Sequence, residues 1–345
     1  MCNIAGYVGS RRAAPILLEM LRRQEGFAGG YYTGIATIHE GRICSAKLTG
    51  DVAKLISDTD AADLPGTIGI IHSRSKSGGG DPWAHPFLGY RNDVPAVAYV
   101  ANGTGGFFKE KNREAAAIAE ALLKEGYRFD SRVSGQTEKY QSLSDGTMVH
   151  MSDTMCQLIL RNMDRGDDSD LAMANGFCEM PAEIVGLLLS LDAPDRINWS
   201  RINYPMSVAF ASHGAYLASA PYAIPDDARE PHLLPANSYG CVFADRFEAK
   251  PLANPPATVA PMDSRLRADA YAAVVTALKD GAKCISELNK QIAPLFEAAN
   301  CAPTGATCYD VLYSLHRQGR LAVEIRTVEG VFDGMTAPKS YFSLK

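Results

Sequence analysis

The segments of this chain that can form regular structure come in three blocks, and that order limits the architecture more than any other feature. The first block is mostly strand. Residues 4–9 are an apolar run, and residues 13–24 place Ile16, Leu17, Met20 and Leu21 at helical spacing. A glycine-rich turn over 26–32 follows, then two alternating runs, 33–39 and 42–47, joined at Glu40-Gly41 as in a hairpin. Residues 66–73 and 96–101 read as further strands. The second block predicts helices over 111–125, 155–163 and 180–191. Strands resume at 208–212, 215–219 and 239–244. Strands, then helices, then strands suits two sheets with helices packed outside them, an α+β layered domain rather than a doubly wound one.

At 345 residues the chain exceeds what one core usually holds, so two units are expected. Three prolines between 251 and 256 mark a linker, which sets domains of 1–255 and 256–345. The second is helix-rich over 263–299 and 308–317, and closes with extended runs at 321–326 and 340–344. A net charge of −5 disfavours nucleic acid as a general partner. The longest apolar runs are far short of a membrane span, and no signal peptide is visible, so a cytoplasmic protein is expected. None of the eight cysteines forms a C-x-x-C pair, and the seven histidines show no H-E-x-x-H pattern, so neither metal nor cofactor is expected.

Three short segments carry chemistry. If Met1 is removed, Cys2 presents a thiol and an α-amino group on one residue, and the amine can serve as base for its own thiol. Arg74 ends a strand ahead of a small-residue loop, Ser75-Lys76-Ser77-Gly78-Gly79-Gly80, from which a guanidinium can grip a carboxylate. Asn102-Gly103 also follows a strand, and a side-chain amide with the next backbone N–H can hold one oxyanion. Each has a plainer reading taken singly: a residue after a start codon, a surface arginine, an Asn-Gly turn.

Together they form an ordered set. Cys2-Asn3-Ile4-Ala5-Gly6-Tyr7-Val8-Gly9, Tyr32-Thr33-Gly34-Ile35-Ala36, His72-Ser73-Arg74, Ala84-His85-Pro86 and Asn102-Gly103 occur in sequence. Over about residues 1–255 the chain resembles the class II glutamine amidotransferases, and is most similar to the glutaminase domain of glucosamine-phosphate synthase. The resemblance implies a four-layer αββα N-terminal-nucleophile (Ntn) fold and hydrolysis of glutamine's side-chain amide. It implies Cys2 as nucleophile, Asn102 and Gly103 as oxyanion hole, and a substrate site of Arg74, Ser77, His85 and Asp153. Asp153, at the start of a helix, would hold the substrate ammonium or simply cap that helix; Asp145 is the runner-up.

The sequence departs from the family at several points. Asn3 replaces a Gly, Ser75 a Trp, and Glu25 stands where an Arg usually neighbours the nucleophile. Residues 28–31 and about 130–151 are extra. Residues 256–345 are too few for a synthase module, so the ammonia acceptor is expected on another chain; a homo-oligomer is left open. From 309 onward the tail resembles the helix-plus-wing end of a winged-helix domain, and a protein-docking cap suits its mixed charge better than a DNA contact. Two other readings stay open: an Ntn hydrolase of another small amide, and a non-catalytic glutamine sensor that signals through the tail.

Overall fold

The computed structural model describes residues 2–104, 112–134, 142–180, 183–254, 263–299, 301 and 304–345. The chain starts in β1 (Asn3–Gly9), turns into α1 (Ala13–Ala28) and returns through the hairpin β2 (Tyr32–His39) and β3 (Arg42–Thr49). Glu40 and Gly41 take φ values of 47° and 72°, the paired positive values of a tight two-residue hairpin. Then come α2 (Val52–Asp58), β4 (Ile68–Arg74), β5 (Phe87–Arg91), β6 (Val94–Thr104) and α3 (Asn112–Lys124). A small ribbon, β7 (Val133–Ser134) with β8 (Thr147–Met148), precedes α4 (Met151–Asp164) and α5 (Ser169–Glu179). The last strands of this region are β9 (Glu183–Ser190), β10 (Ile197–Arg201), β11 (Ser207–Ala211), β12 (Gly214–Ala218), β13 (His232–Leu233), β14 (Ser238–Val242) and β15 (Lys250–Pro251).

These strands make two antiparallel sheets. One runs β13-β11-β12-β1-β4-β2-β3, the other β15-β14-β10-β9-β6-β5. Their inner faces meet in one apolar layer, where Ile4, Val8, Ile70 and Leu217 of the first face Val100, Leu187, Ile197 and Trp199 of the second. α1 and α2 cover the outer face of the first sheet through Leu17, Leu21 and Leu55. α3, α4 and α5 cover the outer face of the second through Leu122, Ile159 and Phe177. The order helix, sheet, sheet, helix is the four-layer αββα sandwich. It places β1 at the centre of its sheet, between β12 and β4, so the first residues of the chain are held inside the molecule.

One expected helix is a strand. Within 180–191 the structure forms β9, paired with β6 on one side and β10 on the other. Both faces of a central strand are covered in this sandwich, so its side chains read as a continuous apolar run, and periodicity cannot tell that from a buried helix. Pro251 of the expected linker pairs with Ser238 in β15, at a sheet edge where a missing N–H costs nothing; residues 255–262 lie outside the described residues.

The C-terminal region contains α6 (Ser264–Lys279), α7 (Ile285–Ala298), α8 (Thr304–Arg317), β16 (Leu321–Glu329) and β17 (Thr336–Leu344). The last two pair as a regular hairpin, so three helices and a two-stranded wing form one unit. Its apolar core includes Leu278, Leu288, Leu312 and Phe342, and also takes in Phe27 of α1 and Ala220.

Candidate active site

The site grows from the start of β1. Cys2 is 8% exposed, and its backbone nitrogen donates to Asn102 Oδ1 at 2.9 Å. Asn102 lies within β6, opposite Val185 of β9, and is not in a turn. The two sheets therefore bring together residues a hundred positions apart. Asn102 Nδ2 is buried without a hydrogen-bond partner among the described residues. A buried amide donor left free costs about 1–3 kcal/mol, so it is retained where something else supplies the acceptor.

Arg74 closes β4, one residue beyond the Asn3–Ser73 pairing of β1 with β4. It is 1% exposed, and its guanidinium lies 4.2 Å from the centre of the Tyr32 ring. The fork is wrapped by the loop that follows it: Nε donates to Ser77 Oγ (2.8 Å), Nη1 to the Trp83 carbonyl (2.6 Å) and Nη2 to the Gly78 carbonyl. Tyr32 adds a bond from its hydroxyl to the Gly79 carbonyl at 3.1 Å. Arg74 thus spends three of its five N–H donors on shaping the loop, which the sequence pattern did not suggest.

Behind that loop three buried histidines pack together. His72 Nε2 bonds the Ala101 carbonyl at 2.9 Å, next to Asn102. The His72 and His85 rings stack at 3.8 Å, and His150 meets His85 edge-on at 5.3 Å. Burial is the first cause that lowers all three: His72 falls to about 3, and His85 and His150 go well below the ordinary imidazole range. They are neutral at pH 7. His85, expected among the substrate contacts, stacks on His72, meets Phe87 edge-on at 4.6 Å, and is 1% exposed. His150 was not singled out by sequence; its place before Met-Ser-Asp at a helix start was the available signal.

His150 caps α4, its Nδ1 accepting from Ser152 N at 3.1 Å. The cap is therefore not Asp153, which lies in the first turn and is fully buried. Asp153 Oδ2 accepts from Ser131 N (2.9 Å) and Oγ (2.7 Å), and Oδ1 from Gln157 Nε2 (2.8 Å). Burial outweighs these bonds and raises its carboxyl to about 6. The Ser131 carbonyl in turn accepts from Trp83 Nε1 at 2.7 Å, so Asp153, Ser131, Trp83 and Arg74 form one linked series. Asp145 sits outside it, ion-paired with Arg132.

The departures noted in the sequence find physical roles. Asn3 Oδ1 accepts from Ala28 N (3.1 Å) and Gly29 N (2.9 Å), and Ser73 Oγ accepts from Gly30 N (2.7 Å). The extra segment 28–31 is thus stitched to β1 and β4, which a glycine at position 3 could not do. A Cβ at Gly29 would lie 2.6 Å from the Ser73 carbonyl oxygen, so the approach requires glycine. Glu25 does not face Cys2: it is buried and accepts from Val52 N at 2.9 Å, at the start of α2.

No family model matches the chain. It is 28% identical over 252 residues to glutamine–fructose-6-phosphate aminotransferase (isomerizing) of Pyrococcus horikoshii, covering 72% of this chain and 38% of that protein. The same enzyme of Clostridium tetani is 26% identical over 247 residues, 71% of this chain and 36% of that one. The chain is similar to the class II glutamine amidotransferases. It spans well under half the length of these relatives. Among solved structures, the B. subtilis glutamine phosphoribosylpyrophosphate amidotransferase shares the fold, with a TM-score of 0.56 and 16% identity over 73% of this chain and 49% of that one. No helix among the described residues is long and apolar enough to cross a membrane.

Proposed function

We propose that this protein is a glutaminase-type amidotransferase subunit, which hydrolyses the side-chain amide of glutamine to glutamate and ammonia. The observation that carries this reading is the Cys2 nitrogen 2.9 Å from Asn102 Oδ1, with Asn102 Nδ2 left free. With Met1 removed that nitrogen is the α-amine. The amine takes the thiol proton as Sγ attacks the amide carbon. It then gives that proton to the departing nitrogen, which leaves as ammonia while a thioester forms. Water opens the thioester, glutamate leaves, and the proton returns to sulfur. Asn102 Nδ2 and Gly103 N hold the oxyanion in both halves.

Arg74 serves the substrate carboxylate with its remaining N–H groups, from a loop it holds in shape together with Ser77. Asp153 serves the ammonium. A carboxyl near 6 when buried is charged at pH 7 and gains further from a cationic partner. Residues 1–255 form the catalytic domain in this reading and 256–345 a second one. The ammonia passes to a synthase on another chain in the cytoplasm.

Three measurements test this. Intact mass should show Met1 absent. Incubation with diazo-oxo-norleucine should label Cys2, and Cys2→Ala should abolish ammonia release from glutamine. Release at the wild-type rate by Cys2→Ala would refute the reading. Efficient turnover of a different amide, with none of glutamine, would move the assignment to an Ntn hydrolase of other specificity.

A further inference from the structure

α8 belongs to the C-terminal unit, yet one of its side chains reaches β1. Tyr309 is 1% exposed, with its ring 5.9 Å from that of Phe27 on α1. Phe27 also receives Phe342 of β17 edge-on at 4.9 Å. This aromatic cluster drives the Tyr309 hydroxyl up against Asn3 and into electrostatic range of Cys2. Asn3 has its oxygen committed to Ala28 and Gly29, so its nitrogen is the end that turns to the phenol oxygen. Asn3 Nδ2 and Tyr309 Oη are both buried, and neither has a hydrogen-bond partner at bonding geometry among the described residues. Two polar atoms buried side by side with no other outlet satisfy each other or are a net cost to the fold.

We infer that Tyr309 is a positioning residue for the nucleophile: through Asn3 the C-terminal unit fixes the first residues of β1, so that the reactivity of the Cys2 thiol depends on α8 being docked. The inference rests on Cys2 as the nucleophile proposed above. It gives Asn3, unusual at this position, a second role beyond the segment it stitches. It also gives the C-terminal unit a task inside the site, in place of acceptor chemistry. Burial raises the Tyr309 phenol above its ordinary range, so it stays protonated throughout the working pH range.

Tyr309→Phe in the full-length protein keeps the ring and its packing while removing the hydroxyl. The reporter is the rate of Cys2 alkylation by iodoacetamide from pH 6 to 9, read by mass spectrometry of the N-terminal peptide. Loss of the Tyr309–Asn3 contact, one residue from the nucleophile, should slow alkylation by about tenfold and change its pH profile. Glutaminase kcat should fall by a similar factor, with KM within about twofold, since substrate contacts are untouched. Tyr222→Phe is the control: Tyr222 touches the same Phe27 ring, at 5.5 Å, and should leave the profile unchanged. A wild-type profile and kcat in Tyr309→Phe would overturn the inference, as would an equal shift in Tyr222→Phe. If the wild type releases no ammonia from glutamine but Tyr309→Phe still displaces the alkylation profile, the function proposed above fails and this coupling stands.

Discussion

At the scale of single residues the decisive pair is Cys2 and Asn102. Asn102→Ala deletes both the acceptor for the Cys2 nitrogen and the free buried donor. Loss of one oxyanion donor costs about 100–1,000-fold in kcat, and the variant should show at least that, with Met1 still removed. Steady-state glutaminase kinetics with intact mass checks it; a loss under about tenfold would remove Asn102 from the oxyanion site. Arg74→Lys should fail for a different reason. A lysine has a single nitrogen and cannot reach Ser77 Oγ and the Gly78 and Trp83 carbonyls at once. KM should rise at least about tenfold and loop 75–80 should become sensitive to protease, because buried carbonyls lose a charged donor. Cys2, Arg74 and Asn102 could be singled out in the sequence because each lies at or near the end of an apolar strand run and offers one chemistry. That Arg74 turns inward was not legible, since it depends on where the carbonyls of Gly78 and Trp83 arrive. Asn3 looked like a departure from a pattern. Its meaning appears only once the backbone N–H groups of Ala28 and Gly29 come within its reach.

At the scale of elements, hairpins and amphipathic helices were readable and the doubly covered strand was not. β2 and β3 announce themselves by alternation around Glu40-Gly41, whereas β9 carries Ile184, Val185, Leu187, Leu188 and Leu189 and so offers no exposed face to read. The junction of α1 with α2 holds a feature that composition conceals. Burial raises Glu25 to about 8, so it is a neutral acid near pH 7 while accepting from Val52 N. Its folded value lies above its unfolded one. The stability it contributes is therefore full below about pH 4.5 and is lost as pH climbs to about 8. Glu25→Gln keeps an acceptor for Val52 N and never ionises. The variant should equal the wild type within about 1 kcal/mol at pH 5 and exceed it by several kcal/mol at pH 8.5, in urea unfolding. Equal unfolding curves at pH 8.5 would show that Glu25 is ionised at little cost in the native protein.

For the whole molecule the buried titratable groups act against each other. His72, His85 and His150 are depressed by burial, so the stability they contribute is present above about pH 6.5 and is lost as pH falls. Glu25, Asp153 and Asp310 are raised, to about 8, 6 and 6, and their contribution is lost as pH rises. Between about pH 4.5 and 6 the unfolded chain binds imidazolium protons that burial makes the three native histidines resist. The native protein holds three carboxyl protons that the unfolded chain has released. The two sets nearly cancel, and stability should be flat across that window. His150→Asn breaks the balance without losing the cap of α4, since Asn is a favoured N-cap residue. It removes one proton from the unfolded side, so stability should then fall with rising pH between pH 4.5 and 6. Glu25→Gln removes one from the native side and should tilt the same window the opposite way. Opposite slopes in the two variants, from urea unfolding at half-unit pH steps, would place these groups in one linked proton balance across the sandwich. Parallel slopes would mean that exposed carboxylates, not these six groups, set the acid response of the fold.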